Sequence, residues 1–374
     1  MSDGVRDEIL DLIRRDGPIT FDRFQELCLY SKNGFYSSRT RPIGTTFHTA
    51  PTTHPAFGEL IAKQLDEMWR LMDEPPIFHA VEVGSGDGAL ARSIMHACVT
   101  RFPRFAQALR YVASDYAPVW PDESIYLEDI DALPPSAPIQ RVRAEGISAF
   151  RGVHGCILSN ELLDNFTVHR FEMQNGRPRE IFVTAGPDGF VEVLAEPSTP
   201  RLTERLAGVA LPDGQRGEVS LAIEGWTDRV ATVLERGFVL TIDYGQLAAD
   251  LYSAKNPDGT LRCFKDHIHS NDWHEHIGEQ DITSDVDFSA LMVAGERRGL
   301  ASVGYSTQGD FLTHLGFDDL VEELHNSGLS AARASLREAA MMALVDEEEM
   351  GGFKVLVQSK GMPAGIQLSG FAPK

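Results

Sequence analysis

The stretch from Val81 to Gly88 constrains this chain more than any other part of its sequence. It reads Val-Glu-Val-Gly-Ser-Gly-Asp-Gly and continues an apolar run that begins at Phe78. Such a run predicts a short buried strand, and the roughly helical spacing of apolar residues over 89–100 predicts a helix. The glycines between them allow a sharp turn and let a ligand lie against the backbone. The stretch therefore predicts a strand, a glycine loop and a helix around a ligand.

The acid that precedes the glycines narrows the choice of ligand. Glu82 stands two residues before Gly84, which gives the pattern E-x-G-x-G-x-G through Gly86 and Gly88. This pattern resembles the first motif of class I S-adenosylmethionine (SAM) methyltransferases, where the loop wraps the methionine part of a sulfonium cofactor. A dinucleotide fingerprint requires G-x-G-x-x-G, and the position of its third glycine is Ala89 here. By itself the motif leaves a SAM site, a dinucleotide site and a plain tight turn open.

Charge and composition exclude some classes of partner. The 374 residues include 34 Lys and Arg against 55 Asp and Glu, a net charge of −21, which argues against nucleic acid or an anionic membrane as the main partner. No apolar run reaches membrane-spanning length. The four cysteines are scattered, and residues 1–20 mix acids with bases and lack an apolar signal region. These features predict reduced thiols and a cytoplasmic protein.

The N-terminal part of the sequence predicts two helices and a long loop. Apolar periodicity predicts helices over 5–15 and 21–29, the second capped by Thr20. Residues 31–58 are rich in Gly, Pro, Thr and Ser, and a connection of this length is usually functional or disordered. Its aromatic residues argue against disorder, so we interpret it as a lid or a wall of the substrate site. A helix over 57–71 follows.

Short motifs distributed along the chain resemble the MidA-like family, in the family's order. The N-terminal motifs are Gly-Phe-Tyr-Ser at 34–37, Thr-Ala-Pro at 49–51, Phe-Gly-Glu-Leu-Ile at 57–61, and Trp69. The later motifs are Ser-Asn-Glu-Leu-Leu-Asp at 159–164, Ile-Asp-Tyr-Gly at 242–245, and the segments 278–288, 307–312 and 350–356. This family comprises proteobacterial and mitochondrial SAM-dependent methyltransferases, including the protein-arginine methyltransferase that assists complex I assembly.

The resemblance implies a fold, a cofactor and a set of cofactor-binding residues. The implied fold is a class I SAM-dependent methyltransferase: a Rossmann-like α/β protein with a seven-stranded, mostly parallel sheet, an N-terminal helical lid and insertions after strands four and five. The cofactor is S-adenosyl-L-methionine. An acid at the end of the second strand takes both ribose hydroxyls in such folds, since a carboxylate accepts two hydrogen bonds. The alternative role is a helix cap or a solvated turn. The expected cofactor-binding residues are Glu82, Gly84, Ser85, Gly86, Gly88, Asp115, Asp129, Thr49 and Pro51.

The end of the fourth strand is the expected catalytic position. Residues 155–158 predict this strand, and Asn160 and Glu161 follow it at the edge where open α/β sheets bind ligands. Carboxylates at Glu161 and Asp164 would hold a guanidinium by bidentate hydrogen bonds and orient its nitrogen. We therefore expect Glu161, Asp164 and Asn160 to be catalytic. The alternative is that Asn160 and Asp164 cap the next helix.

The remaining sequence predicts an inserted β-meander and the second half of the sheet. Alternation and the pairs Asn175-Gly176 and Asp188-Gly189 predict hairpins over 166–194. Further predictions are a third strand at 125–130, a helix at 218–235, a strand at 237–244, a helix opened by residues 281–283, helical structure at 311–343, and strands at 300–306 and 353–359. The expected segments are 1–75 (helices and lid), 76–165 (SAM-binding half), 166–236 (insertion) and 237–374 (second half, with a helical insertion at about 250–345).

Four histidines, at positions 267, 269, 274 and 276, do not predict a metal site. Clustered histidines can bind metal, but no cysteine pair and no H-E-x-x-H pattern accompanies them. We therefore expect no metal.

The resemblance implies methyl transfer to an arginine guanidinium of a protein or peptide. The chain departs from the family pattern at residues 45–47, at Thr52 and within 160–167, mainly in loops expected to face the substrate. These departures leave one alternative open, a small-molecule or peptide N-, O- or C-methyltransferase of specialised metabolism. A further alternative is a non-catalytic SAM-fold assembly factor, against which the intact site residues count: Gly84, Gly86, Gly88, Asp115 and Glu161. The expected partner is the methyl acceptor, without nucleic acid or membrane, and a homodimer is one assembly that we consider.

Overall fold

The structure is a computed structural model, and it describes residues 3–37, 49–116, 139–144, 146–265 and 268–371. Four sequence-based expectations lie outside these ranges. They are Asp129, the third strand at 125–130, the central part of the expected lid, and His267.

Helices and strands alternate over much of the chain. The α-helices are α1 (Asp3–Asp16), α2 (Phe21–Tyr30), α3 (Ala50–Thr53), α4 (Ala56–Leu71), α5 (Ala89–Arg101), α6 (Pro103–Ala108), α7 (Pro200–Leu206), α8 (Ala222–Val233), α9 (Ala248–Leu251), α10 (Phe288–Arg297), α11 (Gln308–His314), α12 (Phe317–His325) and α13 (Ala331–Met342). Within the described ranges, none of them has both the length and the apolar character needed to cross a membrane.

The strands form several sheets. In chain order they are β1 (Ile19–Thr20), β2 (Phe78–Val83), β3 (Leu109–Asp115), β4 (Ile139–Arg143), β5 (Val153–Asn160), β6 (His169–Gln174), β7 (Arg177–Ala185), β8 (Phe190–Ala195), β9 (Arg216–Val219), β10 (Leu234–Asp243), β11 (Gly245–Gln246), β12 (Arg262–Lys265), β13 (Ile268–Ser270), β14 (Asp281–Thr283), β15 (Val286–Asp287), β16 (Ala301–Thr307) and β17 (Lys354–Lys360).

The central sheet confirms the predicted fold class. Among the described residues its seven strands lie in the order β16-β17-β10-β5-β2-β3-β4. Strands β10, β5, β2, β3 and β4 run parallel, whereas β17 is antiparallel to both of its neighbours. Val83 pairs with Ser114, and Glu82 pairs with Leu158. The carboxyl ends of β2, β3 and β5 therefore lie side by side at one edge, where ligands bind in such sheets.

Apolar packing fixes the helix that follows the glycine loop. Strand β2 is almost continuously buried, as expected for a parallel strand covered on both faces. Ile61 and Leu65 of α4 and Ile94 of α5 belong to the hydrophobic core of this sheet. The two helices approach closely at Gly58, where an added Cβ would lie 2.4 Å from the Cβ of Ser93. This packing positions the start of α5 and, with it, the end of the glycine loop.

The chain divides into two compact units that interleave in sequence. The sheet unit comprises residues 41–162, 227–244 and 295–374, and the hairpin unit comprises 1–40, 163–226 and 245–294. This division differs from the four consecutive segments expected from the sequence. The insertions after β5 and β10 belong to the same unit as the N-terminal helices, and within it β1 pairs with β7.

The hairpin unit contains the predicted meander. Its largest sheet has the order β1-β7-β6-β9, with β8 paired to β7. The turn between β6 and β7 has positive φ at Asn175 (52°) and Gly176 (70°), the conformation that Asn-Gly favours in a two-residue hairpin. Phe171, Leu202 and Tyr252 are among the residues of its apolar core.

Three local predictions are wrong. Thr20 makes no side-chain cap on α2, because it lies in β1 and pairs with Phe182. The helix predicted from residue 218 begins at Ala222, since Glu218 belongs to β9. Residues 281–283 form strand β14 rather than opening a helix, because they pair with β12. The cap of α10 is instead Asp287, whose Oδ1 accepts a hydrogen bond from the Ala290 N–H at 2.9 Å.

We predict that Gly237→Ala destabilises the central sheet. An added Cβ at Gly237 (φ +135°) would lie 1.9 Å from the carbonyl oxygen of Gly155 in β5. The control is Gly189→Ala, also at positive φ (+153°) but with nothing within 4 Å of the added Cβ. The clash should cost roughly 1–3 kcal/mol more than the control substitution, measured by thermal unfolding. Equal melting temperatures for the two variants would contradict this account of the β5–β10 pairing.

Candidate cofactor and catalytic site

The loop between β2 and α5 requires glycine at its turning points. Gly84, Gly86 and Gly88 all have positive φ, at 78°, 52° and 77°. An added Cβ at Gly84 would also lie 2.9 Å from Cδ1 of Leu162, so this part of the loop packs against the residue after Glu161. Side chains at these positions would be strained or would collide with the end of β5.

Four amide groups of the loop are already hydrogen-bonded within the protein. The N–H groups of Gly84 and Ser85 donate to the Ser114 carbonyl at 2.9 and 3.1 Å. Gly86 N–H donates to Asp115 Oδ2 at 2.8 Å, and Gly88 N–H donates to the Ser85 carbonyl at 2.8 Å. A diphosphate group needs free amide donors at a helix N-terminus. Four loop amides are thus satisfied within the protein, and this arrangement favours SAM over a dinucleotide.

The polar groups around the loop fit a cofactor that carries positive charge. The Oγ atoms of Ser85 and Ser114 and Oδ2 of Asp87 are buried and have no hydrogen-bond partner within the described part of the chain. The Asp115 carboxylate adds a negative charge beside the loop. SAM brings an ammonium group, a sulfonium and two ribose hydroxyls, which complement such acceptors. Ribose contact by Asp115 stays a prediction.

Glu82 lies beneath the loop in the sheet. Its carboxylate is 3% exposed and accepts a hydrogen bond from the Tyr111 hydroxyl at 2.8 Å. The pKa of Glu82 is raised to about 8, chiefly by burial and also by the charges of Asp115 and Asp87. The hydrogen bond from Tyr111 and the charge of Arg92 lower this pKa but do not offset burial. Glu82 thus ties β2 to β3, and its expected contact with the cofactor stays a prediction.

The turn after β5 holds Glu161 in a left-handed conformation. Glu161 has φ +49°, which is uncommon outside glycine, costs about 1–3 kcal/mol and is concentrated at functional sites. Its N–H donates to the Ile242 carbonyl at 2.9 Å, and Asn160 Nδ2 donates to Glu161 Oε1 at 3.0 Å. Oδ1 of Asn160 is buried and lacks a hydrogen-bond partner among the residues described. The structure therefore brings Asn160 and Glu161 together, in the sheet unit.

Asp164 belongs to the other unit. It lies in the 3-10 turn Leu163–Asn165 of the hairpin unit and is 3% exposed. Its Oδ1 accepts a hydrogen bond from Asn165 Nδ2 at 2.8 Å, and its carbonyl accepts one from Ser284 N–H at 3.1 Å. The alternative interpretation, in which Asn160 and Asp164 cap a helix, requires an α-helix after β5. A three-residue 3-10 turn lies there instead.

Thr49 and Pro51 lie in the short helix region that precedes α4. Thr49 is the N-cap of α3, and its N–H donates to Oγ1 of Thr52 at 3.1 Å. Helix α3 lies against α5, the helix that begins at the glycine loop. Contact of Thr49 and Pro51 with the cofactor stays a prediction.

One cluster that the sequence did not predict combines a histidine with two acids. Nδ1 of His169 lies 2.7 Å from Glu180 Oε1 and 3.6 Å from Asp22 Oδ1, and in the described ranges only these three residues form a group with metal-ligand spacing. Burial lowers the pKa of His169, but the hydrogen bond to Glu180 and the charges of Asp22 and Glu180 raise it overall. Two ligands of a tetrahedral metal would be about 3.3 Å apart. The 2.7 Å separation fits a direct hydrogen bond between the His169 ring and the Glu180 carboxylate instead.

We predict that Asp115→Asn weakens SAM binding. The substitution removes the charge that accepts from Gly86 N–H and is expected at the ribose. Calorimetry should show a loss of about 1.5–3 kcal/mol, the range for hydrogen bonds to a charged group. The control is Asp228→Asn. It removes an exposed acid of α8 that pairs with Arg298, and this variant should bind SAM normally. An unchanged dissociation constant for a folded Asp115→Asn variant would assign the ribose to another acid.

We predict that Glu82 makes the cofactor-free protein less stable as pH rises. Its pKa of about 8 in the folded state exceeds the ordinary value of 4.5, so the folded protein retains a proton that the unfolded chain releases between these values. Stability from this group is complete below pH 4.5 and is lost as pH rises toward 8. The melting temperature of Glu82→Gln minus that of the wild type should therefore increase from pH 5 to pH 8. Parallel curves for the two proteins would refute the raised pKa.

Comparison with known proteins supports the cofactor derived from the loop. Residues 60–306 match a protein family described as "Putative S-adenosyl-L-methionine-dependent methyltransferase". A crystal structure from Burkholderia thailandensis, described as a likely methyl transferase bound to S-adenosyl-homocysteine, is 27% identical with a TM-score of 0.85, covering 99% of this chain and 95% of that one.

Two curated relatives resemble most of the chain. "Protein arginine methyltransferase NDUFAF7 homolog, mitochondrial" from Drosophila melanogaster is 28% identical over 93% of this chain and 83% of its own length. "Protein arginine methyltransferase NDUFAF7, mitochondrial" from Homo sapiens is 28% identical over 82% of this chain and 72% of its own length. The resemblance to the MidA-like family noted in the sequence is confirmed.

The expected cytoplasmic location is wrong. Both curated relatives are mitochondrial by name. The four free, buried cysteines indicate only a reducing compartment and do not single out the cytoplasm.

The family match covers more than half of the chain, and it agrees with the strand order of the sheet and with a glycine loop that suits a cationic cofactor. The chain belongs to the family of S-adenosyl-L-methionine-dependent methyltransferases, and its cofactor is S-adenosyl-L-methionine.

Proposed function

We propose that this protein transfers a methyl group from SAM to a guanidinium nitrogen of an arginine in a protein or peptide. The observation that carries this proposal is Glu161, held at φ +49° at the carboxyl end of β5, next to the strand that leads into the glycine loop. The names of the Drosophila and human relatives, both protein arginine methyltransferases, support the same acceptor.

The chemistry requires a carboxylate at this position. SAM, when bound, supplies the methyl group, which passes to the acceptor nitrogen as the carbon–sulfur bond breaks and a carbon–nitrogen bond forms. The Glu161 carboxylate can accept hydrogen bonds from the guanidinium and orient one nitrogen toward the methyl group. The nitrogen that gains the methyl group must lose a proton, and Glu161 is positioned to receive it or pass it to water.

Neighbouring residues complete the proposed acceptor site. Asn160 Nδ2, 3.0 Å from Glu161 Oε1, restricts the carboxylate to one orientation. A role of Asp164 in acceptor binding stays a prediction from the sequence. A protein or peptide substrate is the expected partner, and a homodimer stays a prediction.

We predict that Glu161→Gln abolishes most methyl transfer while SAM binding persists. The variant keeps the shape of the side chain and removes its charge. Transfer from deuterated-methyl SAM to proteins of a host lysate should fall by about 100-fold or more, whereas the SAM dissociation constant should change less than about threefold. Tandem mass spectrometry should locate the label on arginine.

The matched control is Glu235→Gln. Glu235 is an exposed acid near the start of β10, at the opposite edge of the sheet, and it pairs with His154. This variant should methylate at the wild-type rate. Full activity of Glu161→Gln would remove the main support for a guanidinium acceptor, and label on atoms other than arginine nitrogen would assign a different substrate.

A further inference from the structure

The last residue of β10 connects two adjacent parallel strands through its side chain. Asp243 is fully buried, at 0% exposure. Its Oδ1 accepts a hydrogen bond from the Tyr244 N–H at 3.0 Å, and its Oδ2 accepts one from the Leu162 N–H at 3.1 Å. The first bond is local and would suit any aspartate at a strand end. The second crosses from β10 to the residue that follows Glu161.

The bond to Leu162 extends the strand pairing beyond its regular end. The parallel ladder between β5 and β10 ends where Ile242 pairs with Asn160, and the Ile242 carbonyl then accepts the Glu161 N–H at 2.9 Å. At the next residue, Leu162, the N–H donates to the Asp243 carboxylate instead of to a backbone carbonyl. Two consecutive N–H groups, those of Glu161 and Leu162, therefore bind to β10 and fix the backbone of Glu161. Its positive φ is a conformation that a non-glycine residue adopts only when its surroundings impose it.

Leu162 also contacts the cofactor loop. Leu162 packs against Gly84, where an added Cβ would lie 2.9 Å from Leu162 Cδ1. A carboxylate that fixes the Leu162 backbone thus sets the Glu161 carboxylate relative to the loop that binds SAM. Because misplacement of a reacting group by about 1 Å can cost 100-fold in rate, such a support has a measurable kinetic effect.

We propose that Asp243 is a positioning residue, whose carboxylate holds the Leu162 N–H and thereby presents Glu161 to the methyl acceptor. This inference rests on the proposed function of Glu161. The oxygens of Asp243 accept hydrogen bonds from the Tyr244 and Leu162 amides, so its proposed effect on Glu161 passes through the turn. The sequence signal was the Ile-Asp-Tyr-Gly motif at the same sheet edge as Asn160 and Glu161.

The test combines Asp243→Asn with Glu161→Gln. An asparagine presents one acceptor oxygen to two N–H donors, so one bond is lost and the turn relaxes. Methyl transfer from deuterated-methyl SAM to host-lysate proteins should fall about 10- to 100-fold, with a change of less than about threefold in the SAM dissociation constant by calorimetry. The double variant should be no slower than Glu161→Gln alone, because Asp243 acts through Glu161.

The controls separate this inference from a general loss of structure. Asp287→Asn also removes a buried acid that accepts a backbone N–H, at the cap of α10, and should lower stability with little effect on the transfer rate. If Asp243→Asn does not fold, Asp243→Glu keeps the charge, displaces the carboxylate by one methylene and should show the same split between rate and affinity.

The outcomes distinguish two failures. Full activity of a folded Asp243→Asn variant, or a rate loss in the double variant that equals the product of the two single losses, would overturn the positioning role while Glu161 keeps its function. Full activity of Glu161→Gln would instead overturn the proposed function itself.

Discussion

The hydrogen bonds that link the glycine loop to the end of β3 are the contacts on which the site depends. The Ser114 carbonyl accepts hydrogen bonds from two loop amides, and the Asp115 carboxylate accepts a hydrogen bond from a third. These bonds use donors that a phosphate-binding loop would leave free. The parallel pairing of β2 with β3 places the Ser114 carbonyl and the Asp115 carboxylate beside the loop, since Val83 and Ser114 are register partners. The bonded loop amides agree with the SAM cofactor that the family match assigns.

The second half of the site depends on the neighbouring strand pair. Strands β5 and β10 end together, and the chain leaves β5 through a left-handed glutamate whose amide and next amide are both bound from β10. A strained residue held in this way has little freedom to adjust. We propose that cofactor and acceptor bind at different strands of one sheet: SAM at β2 and β3, and the group that receives the methyl at β5 and β10.

The sequence predicted the features that depend on local pattern. The apolar run before Gly84 and the helical spacing after Gly88 were sufficient for β2, the loop and α5. Local pattern failed where tertiary pairing decides the structure: residues 281–283 resemble a helix cap but pair with β12, and Thr20 precedes a helix but pairs with β7. The positional support from Asp243 could not be predicted, because its contact with Leu162 joins residues 81 positions apart. The interleaved units escaped prediction for the same reason.

The central claim is that the cofactor lies on the loop between β2 and α5 while Glu161 is reserved for the acceptor. A crystal structure of this protein with S-adenosylhomocysteine tests it most directly. The account predicts the cofactor product against Gly84, Gly86 and Gly88, with Asp115 within about 3.2 Å of a ribose hydroxyl and Glu161 making no hydrogen bond to it. Density for the product elsewhere, or a hydrogen bond between its amino acid part and the Glu161 carboxylate, would contradict the account.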